Sequence, residues 1–250
     1  MVNFSANRDI FGPYTHVEVI QRCVGEMLGT FALVFLGCMG VGVHHLNPSV
    51  PEHYFIACFN FGLAVMVPIL IVGHISQCHM NPAITLTVVI SDVMKPALAG
   101  LYIISQCIGS VLGYGVLYGL TPMFHNKNPP VCVTVLHKEL NVFAGMAMEA
   151  FCTGLLCLVV CGVLDKRNAH NTDSTAIKIG LTVSSLALVE APYTMASFNP
   201  ARSLGPCVWT GHWENHWVFW VGPLLGSTVA AMFYRFVFFI PKKVDVELQS

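Results

Sequence analysis

The chain has 250 residues, of which 55% are hydrophobic and only 10% are Asp, Glu, Lys or Arg, and its mean hydropathy is +0.66. A soluble domain carries roughly 25% charged residues, so there is too little polar material here to cover a water-facing surface, and disordered or coiled-coil chains are excluded by the same composition. Its 12 basic and 13 acidic residues leave a net charge of −1, with no basic excess to neutralise nucleic-acid phosphates. What remains is an all-α polytopic membrane protein.

The first 22 residues are polar and include Arg8, Asp9 and Glu18, unlike a cleavable signal peptide. Six stretches then reach the roughly 20 apolar residues that a bilayer core requires: 23–43, 54–73, 96–120, 142–164, 177–195 and 217–240. Two apolar segments, 82–90 and 200–208, are too short to span. Each begins with the same tripeptide, Asn81-Pro82-Ala83 and Asn199-Pro200-Ala201. Asn is a favoured N-cap, and Pro suits the first helical turn. Both segments therefore read as re-entrant half-helices that start in mid-membrane.

Six spans leave both termini on one side. That side holds Arg8, Arg22, Lys95, Lys166, Arg167, Lys178, Arg235, Lys242 and Lys243, whereas the opposite loops hold Lys127 and Lys138. By the positive-inside rule the termini are cytoplasmic, and the sequon at Asn3 stays unglycosylated. The half-helices then enter from opposite faces, which is the mark of an inverted repeat. Other residues extend it. Glu26 and Glu149 precede their Asn by 55 and 50 residues, and Gly109-Ser110 and Gly226-Ser227 follow by 28 and 27. Residues 1–250 thus read as one domain, with repeats at about 17–122 and 140–240 and terminal segments 1–16 and 241–250.

With two Asn-Pro-Ala boxes in the correct loops of a six-span repeat, the second followed by Arg202, the chain resembles the aquaporin (major intrinsic protein) family. The resemblance runs from about Val17 to Phe239. It implies a passive channel for water and small uncharged solutes, a homotetramer with one pore per subunit, and residence in the plasma membrane. The physics of the boxes is independent of the family. Two half-helix N-termini meeting near the midplane each carry about +0.5 charge, and Asn81 and Asn199 supply amide donors. Together they turn a passing oxygen inward, interrupt a proton wire and repel cations; in the plainer reading both Asn are only caps. Glu26 and Glu149, as in the family, hold loop backbones by hydrogen bonds; a proton relay is the alternative.

The resemblance also implies a four-residue selectivity filter, counted from the boxes: Phe61, Ala187, Ala196 and Arg202. Arg202 reads as a filter donor, or else as an anchor on a backbone carbonyl. Water-specific members carry His where this chain has Ala187. A methyl group there widens the constriction and removes a polar wall, so glycerol and urea should pass. Insect entomoglyceroporins are similar in this respect. Two features pull the other way: Ser203 follows Arg202 where older glycerol facilitators carry Asp, and the Phe219-Trp220 pair looks like a water channel. Glu190, one turn after Ala187, reads either as lining the outer vestibule beside Arg202 or as an interfacial helix-end acid.

Seven of the ten cysteines, Cys23, Cys38, Cys58, Cys107, Cys152, Cys157 and Cys161, fall in apolar spans, where Cys behaves as a small hydrophobe. Cys78, three before Asn81, should border the inner pore and react with mercurials. His44-His45 reads as a solvated loop pair. His74 and His79 lie near the cytoplasmic entrance, packed or poised to titrate. Gly29, Gly109, Gly113, Gly180, Gly222 and Gly226 suit close helix crossings. No metal-ligand spacing, phosphate loop, nucleophile elbow or paired catalytic carboxylates is present, so neither a cofactor nor an enzyme is expected. A secondary transporter and a junction protein of low permeability are the rival readings.

Overall fold

The computed structural model describes residues 8–46 and 53–238, without the side chains of residues 8, 9, 44 and 45. The Asn3 sequon, Lys242, Lys243 and the side chains of His44 and His45 therefore lie outside the described residues. The fold is built from α1 (His16–Val41), α2 (His53–Ser76), the short α3 (Pro82–Ile90), α4 (Pro96–Leu120), α5 (Val142–Leu164), α6 (Thr175–Thr194), the short α7 (Pro200–Thr210) and α8 (Val218–Phe233). A π turn, Tyr234–Phe238, prolongs α8. The protein is an integral membrane protein with six spans. The spanning helices run 20 to 26 residues, with mean hydropathy between 1.2 and 2.5, and at about 1.5 Å rise per residue even the shortest covers a bilayer core of about 30 Å.

Local chemistry sets the boundaries. α1 starts at His16, not residue 23, because Thr15 and Glu18 form a capping box, with Thr15 N donating to Glu18 Oε2 at 2.7 Å. α3 and α7 start where Asn81 and Asn199 cap them, with Pro in the first turn. α7 runs to Thr210 and stops at Gly211, whose φ of +71° closes the helix.

The two repeats are alike in backbone detail. In the loop before α3, Gln77, Cys78 and Met80 have φ of +71°, +51° and +52°; before α7, Met195, Ala196 and Phe198 have +63°, +51° and +52°. These are the same offsets from Asn81 and Asn199. Left-handed geometry is costly for residues with a side chain, so each loop must be held from outside. Packing repeats too. At Gly109 a Cβ would collide with the Met27 carbonyl on α1, and at Gly226 with the Ala150 carbonyl on α5. Backbones meet at these α1–α4 and α5–α8 crossings because nothing intervenes.

The surface inverts that of a soluble protein. Leu70, Phe143, Phe151 and Phe236 stand outward, while Glu26, Gln106, Glu149, Asn81, Asn199 and Arg202 are buried. One expectation is corrected here. Cys38 is not merely a small hydrophobe: it is bonded to Cys132, 94 residues away in the loop between α4 and α5. The other eight cysteines are free.

Candidate pore and selectivity filter

A cavity of about 790 Å³ runs the length of the bundle, from Tyr54 and Ala57 at the start of α2 to His74, Thr172 and Asp173 at the other end. One wall is apolar, with Val65, Ile69, Val160 and Ile179. The two re-entrant loops add polar groups to the lining, with Asn81, Asn199 and Arg202.

At the middle, each Asn does two things. Its Oδ1 caps its own half-helix: Asn81 accepts from Ala83 N at 2.8 Å, and Asn199 from Ala201 N and Arg202 N at 3.0 and 3.2 Å. Its amide ties the opposite loop, with Asn81 Nδ2 donating to Phe198 O at 2.8 Å and Asn199 Nδ2 to Met80 O at 2.7 Å. An amide NH₂ has two protons, so each side chain keeps one N–H beyond this tie. Capping and donation to the cavity are thus compatible.

The loops are held by the two intramembrane acids, both fully buried. Glu26 Oε1 accepts from Ser76 Oγ and His79 N at 2.8 and 2.9 Å; Oε2 accepts from Met80 N and Gln106 Nε2 at 2.7 and 2.8 Å. Glu149 Oε1 accepts from Thr194 Oγ1 and Ser197 N at 2.7 and 2.9 Å, and Oε2 from Phe198 N at 2.9 Å. The partners again fall at matching offsets. Carboxylates that accept backbone N–H groups in a low-dielectric interior stabilise strongly, which offsets the left-handed backbone. The sequence assigns Ser76 and Thr194 no role; the signal it holds for them is the shared position, five before each Asn.

Phe61, Ala187, Ala196 and Arg202 all line the same cavity. The Arg202 guanidinium sits over the Phe61 ring, 4.6 Å from its centroid. Its Nη1 donates to Cys132 O at 2.7 Å, and Nη2 lies 3.4 Å from Cys132 Sγ. Arg202 is 3% exposed, so these partners hold a nearly desolvated charge. Carbonyl anchoring and a place on the cavity wall coexist. On the α6 side, Cys58 Sγ donates to Ala187 O at 3.6 Å, and the Tyr54 hydroxyl donates to Leu188 O at 2.8 Å.

Between residues 13 and 234 the chain matches the family described as Major intrinsic protein. The chain belongs to the major intrinsic protein family. It is a channel of that family and not an enzyme. Over 232 residues it is 38% identical to Aquaporin-4 of Mus musculus, covering 90% of this chain and 68% of that one. To Aquaporin-2 of Bos taurus it is 33% identical over 225 residues, 89% and 80% of the two. With other Aquaporin-4 relatives the match is shorter, 185–196 residues, and the chain spans 55–57% of their length. A solved structure described as the aquaglyceroporin from Plasmodium falciparum superposes with a TM-score of 0.78 at 25% identity, covering 88% of this chain and 96% of that one.

Within this major intrinsic protein, other candidate residues fall as follows. Cys78 and Cys58 both border the cavity, and a Cβ on Gly29 would lie 2.9 Å from Cys78 Sγ, so the thiol packs against α1. His79 is buried, with Nδ1 3.2 Å from Thr85 Oγ1 and its ring edge-on to Tyr102; His74 is exposed at the cavity's end. Glu190 is a correction. It is 2% exposed, contacts Thr194 Oγ1 at 3.2 Å beside Glu149, and does not line the cavity. Beyond its first turn, the lining stripe of α6 is Ile179, Val183, Ala187 and Ala191, at spacings of four. Glu190 sits one residue, about 100° of helix rotation, off that stripe, so neither the vestibule nor the interfacial reading describes it.

Proposed function

We propose that this channel is a passive pore for water, with both termini cytoplasmic, residues 1–250 forming one unit of two repeats, and four copies assembling as in the family it resembles, in the plasma membrane. One observation carries the reading: a single cavity through the bundle is bordered by Asn81, Asn199 and Arg202. Water passes these donors with its oxygen turned toward them. Two half-helix N-termini add roughly half a positive charge each, and the Arg202 guanidinium adds a full one, so protons and cations meet an electrostatic barrier. Relatives named as aquaporins, at 33–38% identity, support water as the main permeant over the glycerol and urea reading taken first from Ala187.

A second reading rests on Ala187 itself. A methyl group beside Phe61, Ala196 and Arg202 leaves an apolar wall opposite donors, which suits glycerol or urea, as in the entomoglyceroporins this filter resembles. The likeness to a structure described as an aquaglyceroporin supports it. Stopped-flow volume changes of proteoliposomes separate these readings. Water flux with solute exclusion sustains the first alone, and added glycerol or urea flux sustains both. Negligible flux from folded protein favours the junction reading, and flux that saturates or needs a Na⁺ or H⁺ gradient favours a transporter.

A further inference from the structure

We infer that the Cys38–Cys132 disulfide is a specificity-determining positioning element that fixes Arg202 in the filter. The inference rests on the pore reading above.

The guanidinium has two protein supports, the Phe61 ring and the Cys132 carbonyl, and both trace to adjacent residues of α1. At Gly37 a Cβ would lie 2.6 Å from Phe61 Cε1, so the absent side chain gives the ring its seat. At Cys38, fully buried, the side chain is the covalent bond to Cys132. α1 therefore holds the ring through Gly37 and the carbonyl through Cys38, and the filter cation lies between the two.

Cys132 is not a residue that the backbone would hold there unaided. Its φ is +67°, in the left-handed region that costs a residue with a Cβ free energy unless its surroundings impose it. Neighbouring Val131 is pinned through its carbonyl, which accepts from Tyr114 Oη at 2.7 Å. The disulfide and this hydrogen bond tether consecutive residues of the loop between α4 and α5, which is tied again further on, where His137 N donates to Tyr193 O at 2.8 Å. Arg202 donates to Cys132 O and approaches its sulfur, at 2.7 and 3.4 Å. A bond to an ionised donor is strong and directional, so displacing the carbonyl frees the guanidinium to turn. The size and donor pattern of the constriction then change.

A disulfide that merely staples the loop predicts something else. Its loss lowers the fraction of folded channels and scales every flux alike. A positioning role changes the ratio of solute to water permeability, which is independent of how many channels are active. The test is stopped-flow on proteoliposomes of wild type, Cys38→Ser, Cys132→Ser and the double variant, with glycerol and urea against water. Mass spectrometry of alkylated, unreduced protein establishes the link in wild type. We expect linked Cys38 and Cys132 peptides, and a several-fold rise in the solute-to-water ratio in all three variants. Tyr114→Phe, which leaves the sulfurs bonded, should move the ratio the same way by less. An unchanged ratio in variants that still pass water, or unlinked cysteines in wild type, overturns the inference and leaves the pore reading intact. Absence of water flux in wild type overturns the pore reading itself.

Discussion

Asn81 and Asn199 each donate a side-chain N–H to the backbone carbonyl just before the other, at 2.8 and 2.7 Å. The two half-helices are thereby tied across the centre of the cavity by reciprocal bonds, while each Oδ1 caps its own helix. One residue type performs both tasks only because an amide has acceptor and donor ends.

Asn199→Asp separates those tasks. The carboxylate keeps the cap but cannot donate to Met80 O, and it puts a negative charge where half-helix ends are positive. The variant is expected to lose thermal stability by the scale of a buried carbonyl left without its donor, about 1–3 kcal/mol, and to admit cations. Planar-bilayer recording checks this; zero cation conductance in folded Asn199→Asp contradicts it.

Glu149 and Glu190 should answer differently to amidation. Glu149 accepts two backbone N–H groups and the Thr194 hydroxyl. In Glu149→Gln the amide NH₂ faces one of these donors, and a buried group left unsatisfied costs about 1–3 kcal/mol. Glu190 touches only the Thr194 hydroxyl among these groups, and Glu190→Gln can donate to that oxygen instead. Thermal unfolding in detergent should show a large loss for Glu149→Gln and a small one for Glu190→Gln. Water flux should survive the second. A changed solute selectivity in Glu190→Gln would restore the vestibule reading.

His216, in the turn before α8, supplies the pH dependence. Burial pushes its pKa below the ordinary histidine value. Trp220 Nε1 donates to its Nε2 at 3.1 Å, and Cys207 Sγ lies 3.2 Å from Nδ1, so a proton added at Nε2 would face the Trp220 N–H. A folded value below the unfolded one, about 6.5, gives stability that is present above that pH. It is lost as pH falls from there toward the lowered folded value. The unfolding temperature of the wild type should drop between pH 7.5 and 5.5 by more than that of His216→Gln, on the window set by about 6.5. Parallel curves would show that His216 is not the group responsible.

Mercurials should block wild-type flux through Cys78, and Cys78→Ser should resist. Block that persists in Cys78→Ser but ends in Cys58→Ser reassigns the thiol, since both residues border the cavity.

The sequence carried much of this fold for physical reasons. A span needs a countable run of apolar residues, and Asn-Pro fixes a helix start on chemistry alone, so α4 and α5 and the starts of α3 and α7 were readable to the residue. The start of α1 was not, because a capping box extends a helix through polar residues that hydropathy discounts. Cys38 was misread for a different reason. Within an apolar span a bonded cysteine and a small hydrophobe look alike, and its partner lies 94 residues on. Glu190 was misplaced because three residues along a helix is near one turn but not the same stripe. The backbone ties among Glu26, Glu149 and the loops depend on main-chain atoms, which no residue pattern displays.

What the cavity passes decides whether this protein is a water pore. Stopped-flow measurement of water, glycerol and urea permeability in proteoliposomes of wild type and Ala187→His tests it directly. Water flux well above empty liposomes is expected in both proteins, with any glycerol or urea flux of the wild type suppressed by the imidazole. Liposomes carrying folded protein with no more water flux than empty ones would contradict it.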